Sequence, residues 1–236
     1  MLESLRRRFG LAKIDEKADP AKLARIGNEV RARLEADPRA EARGGDKADL
    51  FLVPDLLGPK ECARLIRIIE SRITRSPLFS DRVAPAGRTS STHYFRDELP
   101  ETRSLAAKID DVLGIERRHA ETIQGQRYLE GQEYRHHCDF FREDKPHWPG
   151  ERPRGGQRTW TAMVYLNDVD EGGETEFPAL DLRIRPQAGM MIAWNNMTRR
   201  GRPNRATRHA ALPVVAGKKY VVTQWFRQDD WSLHRN

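Results

Sequence analysis

From Ala120 onward the sequence breaks into short strand-like segments, and this pattern limits the possible folds more than any other feature of the chain. The segments are residues 121–128, 134–141, 159–166, 182–186, 190–194, 209–215 and 219–227, and glycine or proline separates most of them. Two stretches of helical period precede them. In residues 59–73, Leu65, Ile66, Ile69 and Ile73 fall on one face; in residues 101–113, Leu105, Ile109 and Val112 do so. Helices first and many antiparallel strands afterwards predict an α+β chain whose strands close into a jelly-roll-like sandwich.

Upstream, Asp19 followed by Pro20 predicts a helix start, with an N-cap and then a proline in the first turn. Leu23, Ile26, Val30 and Leu34 continue it as one apolar stripe, and Leu2, Leu5 and Phe9 suggest a shorter helix before it. Residues 37–49 read as a linker. The expectation is a helical N-terminal appendage over residues 1–47, then one domain over residues 48–236. That domain opens with a strand at 50–53, and its 76–87 loop leads to another strand at 88–95.

Within the second predicted β segment, His137 and Asp139 are two residues apart. On an extended strand they share a face, while His136 and Cys138 point the other way. An imidazole and a carboxylate are two thirds of the two-His, one-carboxylate triad that holds non-haem Fe(II) with three positions open. Alone, the pair equally fits a strand-end histidine hydrogen-bonded to an aspartate. His209, at the start of a later strand, supplies a third donor, and Lys219 follows it by ten residues. A fixed cation near an iron site suits a dicarboxylate co-substrate, one end of which chelates the metal.

Several motifs occur together and in order. They are FLVPDLLGPKEC at 51–62, RTSSTHYF at 88–95, Tyr128 with GQEY at 131–134, the His137/Asp139 pair, YLNDVDEGGETEFP at 165–178, His209 before Pro213-Val214, and Lys219 with Trp225. In these the chain resembles the prolyl 4-hydroxylase branch of the Fe(II)/2-oxoglutarate-dependent dioxygenases, over about residues 48–230. The resemblance implies a double-stranded β-helix and hydroxylation of a prolyl residue in a peptide or protein, with 2-oxoglutarate and O2 converted to succinate and CO2. It implies iron ligands His137, Asp139 and His209, and a co-substrate pocket of Lys219, Tyr128 and Thr161. It also implies Trp225 against the pocket, and L-ascorbate (vitamin C) as reductant. Read without the resemblance, Lys219 is a surface lysine beside Lys218, and Tyr128 and Trp225 are core aromatics.

The chain departs from the family around the distal histidine. Arg208-His209-Ala210-Ala211-Leu212-Pro213-Val214 stands where the family has Leu-His-Ala-Gly-Cys-Pro-Val, which bears on the substrate side more than on the metal. Other readings are the same oxygenase chemistry on another side chain, a small molecule or a nucleobase, or an inactive jelly roll used for binding.

The net charge of +7 raises nucleic acid as a partner, but acids and bases interleave through most of the chain and argue against it. One exception is residues 195–208, where Arg199, Arg200, Arg202, Arg205 and Arg208 have no acid among them. The segment is either a solvated basic loop or, because it runs into His209, a cluster that draws an acidic peptide to the site. No apolar run approaches the roughly 20 residues needed to span a bilayer. The basic N-terminus lacks the apolar core of a secretory signal. The only cysteines, Cys62 and Cys138, form no zinc pattern, so the expected setting is the cytoplasm.

Overall fold

A computed structural model describes residues 17–71, 73–75 and 87–234 of the chain. The short helix expected around Leu2, Leu5 and Phe9, and most of the 76–87 loop, lie outside the described residues.

Helix α1 (Pro20–Ala36) starts where the sequence places it: the Asp19 carboxylate accepts from the amides of Ala21 and Lys22 at 3.0 and 3.1 Å. Its apolar stripe is buried, and Val30 and Leu34 join the main core. The strands β1 (Glu41–Ala42) and β2 (Leu50–Val53) follow, then α2 (Pro59–Ser71), β3 (Thr74–Arg75), β4 (Ser91–Tyr94) and α3 (Pro100–Leu113). Ile69 and Leu105, the inward residues of α2 and α3, are essentially fully buried. Side chains of this kind each contribute roughly 1.5–3 kcal/mol when removed from water, enough to hold both helices on the sheet beneath them.

The remaining elements are β5 (Gln124–Tyr128), β6 (Tyr134–His137), a single helical turn α4 (Trp148–Glu151), β7 (Arg158–Tyr165), β8 (Glu171–Gly172), β9 (Thr175–Phe177), β10 (Leu182–Ile184), β11 (Met191–Asn195), β12 (His209–Ala211), β13 (Val214–Ala216) and β14 (Lys219–Arg227). They form an eight-stranded sheet ordered β1-β2-β11-β7-β14-β5-β4-β3 and a four-stranded sheet ordered β10-β9-β12-β6, with β8 and β13 paired separately. All pairings between these strands are antiparallel. Tyr128, Met163, Ile192, Trp194 and Val221 of the large sheet pack with Phe177 and Ile184 of the small one. The other face of the large sheet carries α1, α2 and α3.

Two expected strands are shorter than their patterns. The 134–141 segment stops at His137, so Asp139 lies on a bend after the strand. The 209–215 segment splits at Leu212-Pro213, because proline has no amide to donate to a ladder.

Candidate active site

The small sheet brings the three expected metal ligands together. β6 and β12 pair with His137 directly opposite His209, and a bulge one step further on re-aims the pair. The imidazole rings lie 4.3 Å apart between centroids. Among the described residues, His137, Asp139 and His209 form a set whose ligand atoms all lie within 4.8 Å of one another.

Each ligand is held by a partner that fixes which atom is presented. His137 Nδ1 donates to the Arg135 carbonyl at 2.9 Å, and His209 Nδ1 donates to the Thr207 carbonyl at 3.0 Å, so both Nε2 atoms keep their lone pairs. Asp139 Oδ2 accepts from the Thr161 hydroxyl at 2.8 Å, leaving Oδ1 turned toward His137 Nε2 at 3.6 Å. Burial, and then His209 alongside, push the His137 imidazole far below its ordinary pKa, into the neutral form that ligates. Burial alone would favour the neutral acid at Asp139. The two imidazoles, the Arg158 guanidinium and the Thr161 hydroxyl outweigh it and hold the carboxyl below its usual range. Two neutral nitrogens and one anionic oxygen in a buried cluster are a donor set that fits Fe(II).

His136 points away, as the alternation requires, and pairs with Glu176 at 2.8 Å. Thr161 is buried, and its hydroxyl donates to Asp139 and accepts from Asn196 Nδ2 at 2.9 Å. It orients a ligand. Hydroxyls that line the inner cavity include that of Thr175 on β9, which accepts from the Tyr165 phenol at 2.6 Å. Thr175 lies within the TEFP run of the sequence motif, so the signal for it was present.

β14 supplies the opposite wall. Lys219, Val221, Thr223 and Trp225 alternate onto one face, and the last three line the inner cavity together with Tyr128 of β5. Lys219 is fully buried, 5.4 Å from the ring centroids of both Tyr128 and Tyr165, and its Nζ donates to the Gly173 carbonyl at 2.6 Å. That carbonyl is delivered by a turn in which Gly172 has φ 76°, and a Cβ there would stand 2.4 Å from the Pro213 oxygen. Lys219 makes no ion pair among the described residues, and burial pushes its pKa down to about 7.

Outside the metal cluster opens a groove of about 740 Å³. Its wall includes residues that the sequence did not single out. Arg88 Nε donates to Ser90 at 2.9 Å, and the guanidinium lies 5.0 Å from the Tyr134 ring, which in turn stacks on His137 at 3.7 Å. Arg158 grips Glu121 through two hydrogen bonds of 2.6 and 2.7 Å and covers the Trp225 ring at 4.2 Å. Arg227 also donates to Glu121, and reaches Glu151 at 2.8 Å. The pairings of Arg158 and Arg227 span 37 to 106 residues, so no local pattern could have revealed them. Arg205 and Arg208 complete the mouth, exposed and without an ion pair among the described residues. Arg199 does not face the groove; it pairs with buried Asp49 at 3.1 Å.

Residues 123–227 match the 2OG-Fe(II) oxygenase superfamily. The prolyl 4-hydroxylase subunit alpha-1 of Mus musculus is 35% identical over 199 residues, which cover 80% of this chain and 36% of that protein. The corresponding subunit of Gallus gallus is 28% identical over 199 residues, 80% of this chain and 38% of that one. The chain thus spans well under half the length of these animal relatives. Among solved structures, the 2OG complex of the viral collagen prolyl hydroxylase from Paramecium Bursaria Chlorella virus-1 superposes with a TM-score of 0.62 at 28% identity, covering 79% of this chain and 99% of that one.

Proposed function

Because this chain belongs to the prolyl 4-hydroxylase branch of the 2OG-Fe(II) oxygenases, we propose that it hydroxylates a prolyl residue in a peptide or protein, with 2-oxoglutarate and O2 as co-substrates. The observation that carries the reading is the placement of Lys219. A buried cation with no ion pair among the described residues, its charge influenced only by the more distant Glu174, stands on the strand facing a two-His, one-carboxylate cluster. Burying such a charge is costly unless a ligand completes it, and a dicarboxylate would.

His137, Asp139 and His209 would hold Fe(II), which when bound supplies the activation of O2 that the hydroxylation needs. The protein's own residues do the rest. Thr161 keeps one oxygen of Asp139 engaged, so that the other is presented alone. Lys219 now rests on the Gly173 carbonyl, and the inner cavity is narrow, about 40 Å³. Admission of the co-substrate therefore exchanges that carbonyl for a carboxylate and widens the cavity behind Tyr128 and Thr175. Trp225, stacked under Arg158, lines both this inner cavity and the groove where a peptide would lie, as do Arg88, Tyr134, His137 and Asp139. L-ascorbate as a reductant and a cytoplasmic setting belong to the same proposal; the two free cysteines are compatible with the latter.

The substrate segment is read as acidic. Among the described residues, Arg205 and Arg208 stand without an ion pair at the groove mouth, and the one carboxylate in the groove lining is Asp139. Replacing Arg205 and Arg208 by Gln raises the KM for an acidic proline peptide about threefold to tenfold at low salt and less at high salt, because exposed charges act through a screened field. Acidic and neutral peptides competing equally at both salt concentrations would contradict it. The reaction itself is tested by supplying Fe(II), 2-oxoglutarate and proline-rich peptides in air. Succinate should form together with a peptide heavier by one oxygen. Turnover of 2-oxoglutarate that leaves every proline peptide unmodified, while another side chain or small molecule gains the oxygen, would move the activity elsewhere in the superfamily.

A further inference from the structure

The two segments that form much of the groove wall are joined through the N-terminal helix, outside the stretch that matches the superfamily. The first turn of α1 touches both. Lys22 Nζ donates to Asp229 Oδ1 at 2.7 Å, and Arg152, just after α4, donates to Asp229 Oδ2 at 2.7 Å. Burial alone would raise the Asp229 pKa, but Lys22 and then Arg152 hold it low, so one carboxylate ties the helix to the 140–156 segment. Arg152 adds a hydrogen bond from Nε to the Lys17 carbonyl at 3.2 Å. Beside this polar tie, Ala18 and Leu23 pack in one apolar cluster with Phe141, Trp148 and Met197.

Met197 opens the second segment, the basic run that leads to His209. Gly201 in that run has φ 69° and lies directly on α1: a Cβ there would stand 1.9 Å from the Pro20 carbonyl and 2.8 Å from the Ala24 amide. Phe140, Arg142 and His147 of the first segment line the groove, as do Arg205 and Arg208 of the second. None of the α1 contacts reaches the metal cluster or Lys219.

We propose that the first turn of α1 is a positioning element of the peptide site. Through Lys22 and Leu23 it sets the spacing of the two segments between which the peptide lies. Peptide affinity then depends on a helix that has no part in holding iron or 2-oxoglutarate. The inference rests on reading the groove as the peptide site.

The test compares the full-length protein with its Lys22→Ala and Lys22→Arg variants. Lys22→Ala should raise the peptide KM about threefold to tenfold, because a small displacement of positioning groups is expensive while a half-exposed ion pair holds little folding energy. The KM for 2-oxoglutarate and the peptide-free turnover should stay within about twofold, and Lys22→Arg should restore the peptide KM. Independently of activity, amide hydrogen exchange should quicken in residues 141–156 and 197–208 of Lys22→Ala and stay unchanged in β5 and β14. Unchanged exchange and an unchanged peptide KM would overturn the proposal. So would a rise in peptide KM accompanied by parallel falls in peptide-free turnover and melting temperature that Lys22→Arg fails to rescue, since that is a purely structural role. If the two segments loosen but the wild-type protein oxidises no proline peptide at all, the joining of the segments stands and the reading of the groove falls.

Discussion

Strand β14 buries a cation at each end, and the two ends are built in opposite ways. At its C-terminal end Arg227 is enclosed by Glu121, Glu151 and the Gly156 carbonyl, and Arg158 shares Glu121 with it. At its N-terminal end Lys219 has one carbonyl and two aromatic rings around it and no ion pair among the described residues. One end is electrostatically complete and behaves as structure. The other has no ion pair among the described residues, with only the more distant Glu174 acting on its charge, and on the proposed reading a ligand completes it. The residue types match the tasks: a guanidinium engages two carboxylates at once with a charge it never loses, whereas a buried ammonium can shed its proton until a counter-ion arrives.

The contrast is broken most severely by Arg227→Met. Glu151 then loses its strongest partner inside the protein, at a cost of about 3–5 kcal/mol of stability in chemical denaturation. Affinity for 2-oxoglutarate should remain near the wild-type value. Lys219→Met should do the reverse. With its partner removed, the co-substrate carboxylate would be buried unpaired, weakening 2-oxoglutarate binding by about two orders of magnitude or more.

The ligand-free Lys219→Met protein should also be more stable than the wild type. The unfolded lysine takes up its proton as pH falls through about 10.5, while the folded one does so only near 7. This group therefore subtracts stability progressively as pH drops across that window and by a constant amount below it. At neutral pH the deficit is at most on the order of 5 kcal/mol. A Lys219→Met protein less stable than the wild type would mean that the ammonium is already compensated.

A smaller effect separates metal from co-substrate. Thr161→Val removes the donor to Asp139 Oδ2 and should weaken Fe(II) affinity about 10- to 100-fold, as loss of a ligand's orienting partner does. At saturating iron the KM for 2-oxoglutarate should not move. A raised KM would place Thr161 in the co-substrate pocket.

What was legible in the sequence follows the same division. His137, His209, Lys219 and Trp225 sit on strands whose period of two assigns each side chain a face, so local spacing carried the information, whereas Asp139 lies past the end of β6, where alternation no longer sets its direction. The strands 50–53 and 219–227 were read with the limits they have, because both are continuous apolar or alternating runs. Thr161 was placed on the correct strand, but its hydrogen bond to Asp139 was not foreseen. Its hydroxyl is reached by Asp139 only through the bend that follows β6, and nothing in the sequence marks that bend. Glu121, Glu151, Arg158 and Arg227 were invisible as a group, since their pairing depends on bringing together four distant segments. Arg88 and Tyr134 lay inside recognised motifs, yet their roles in the groove appear only when the large sheet curls beside the small one.

The central claim is that Lys219 holds its charge for a dicarboxylate, and calorimetric titration of the oxygen-free, Fe(II)-loaded protein with 2-oxoglutarate at pH 6.5 and 8.5 tests it most directly. With the free lysine titrating at about 7, the binding-competent ammonium becomes scarce at the higher pH. Affinity should fall roughly 20-fold between the two conditions, with proton uptake on binding at pH 8.5, and a Lys219→Arg protein should lose this dependence. Equal affinity at both pH values, without proton uptake in the wild-type protein, would contradict the account.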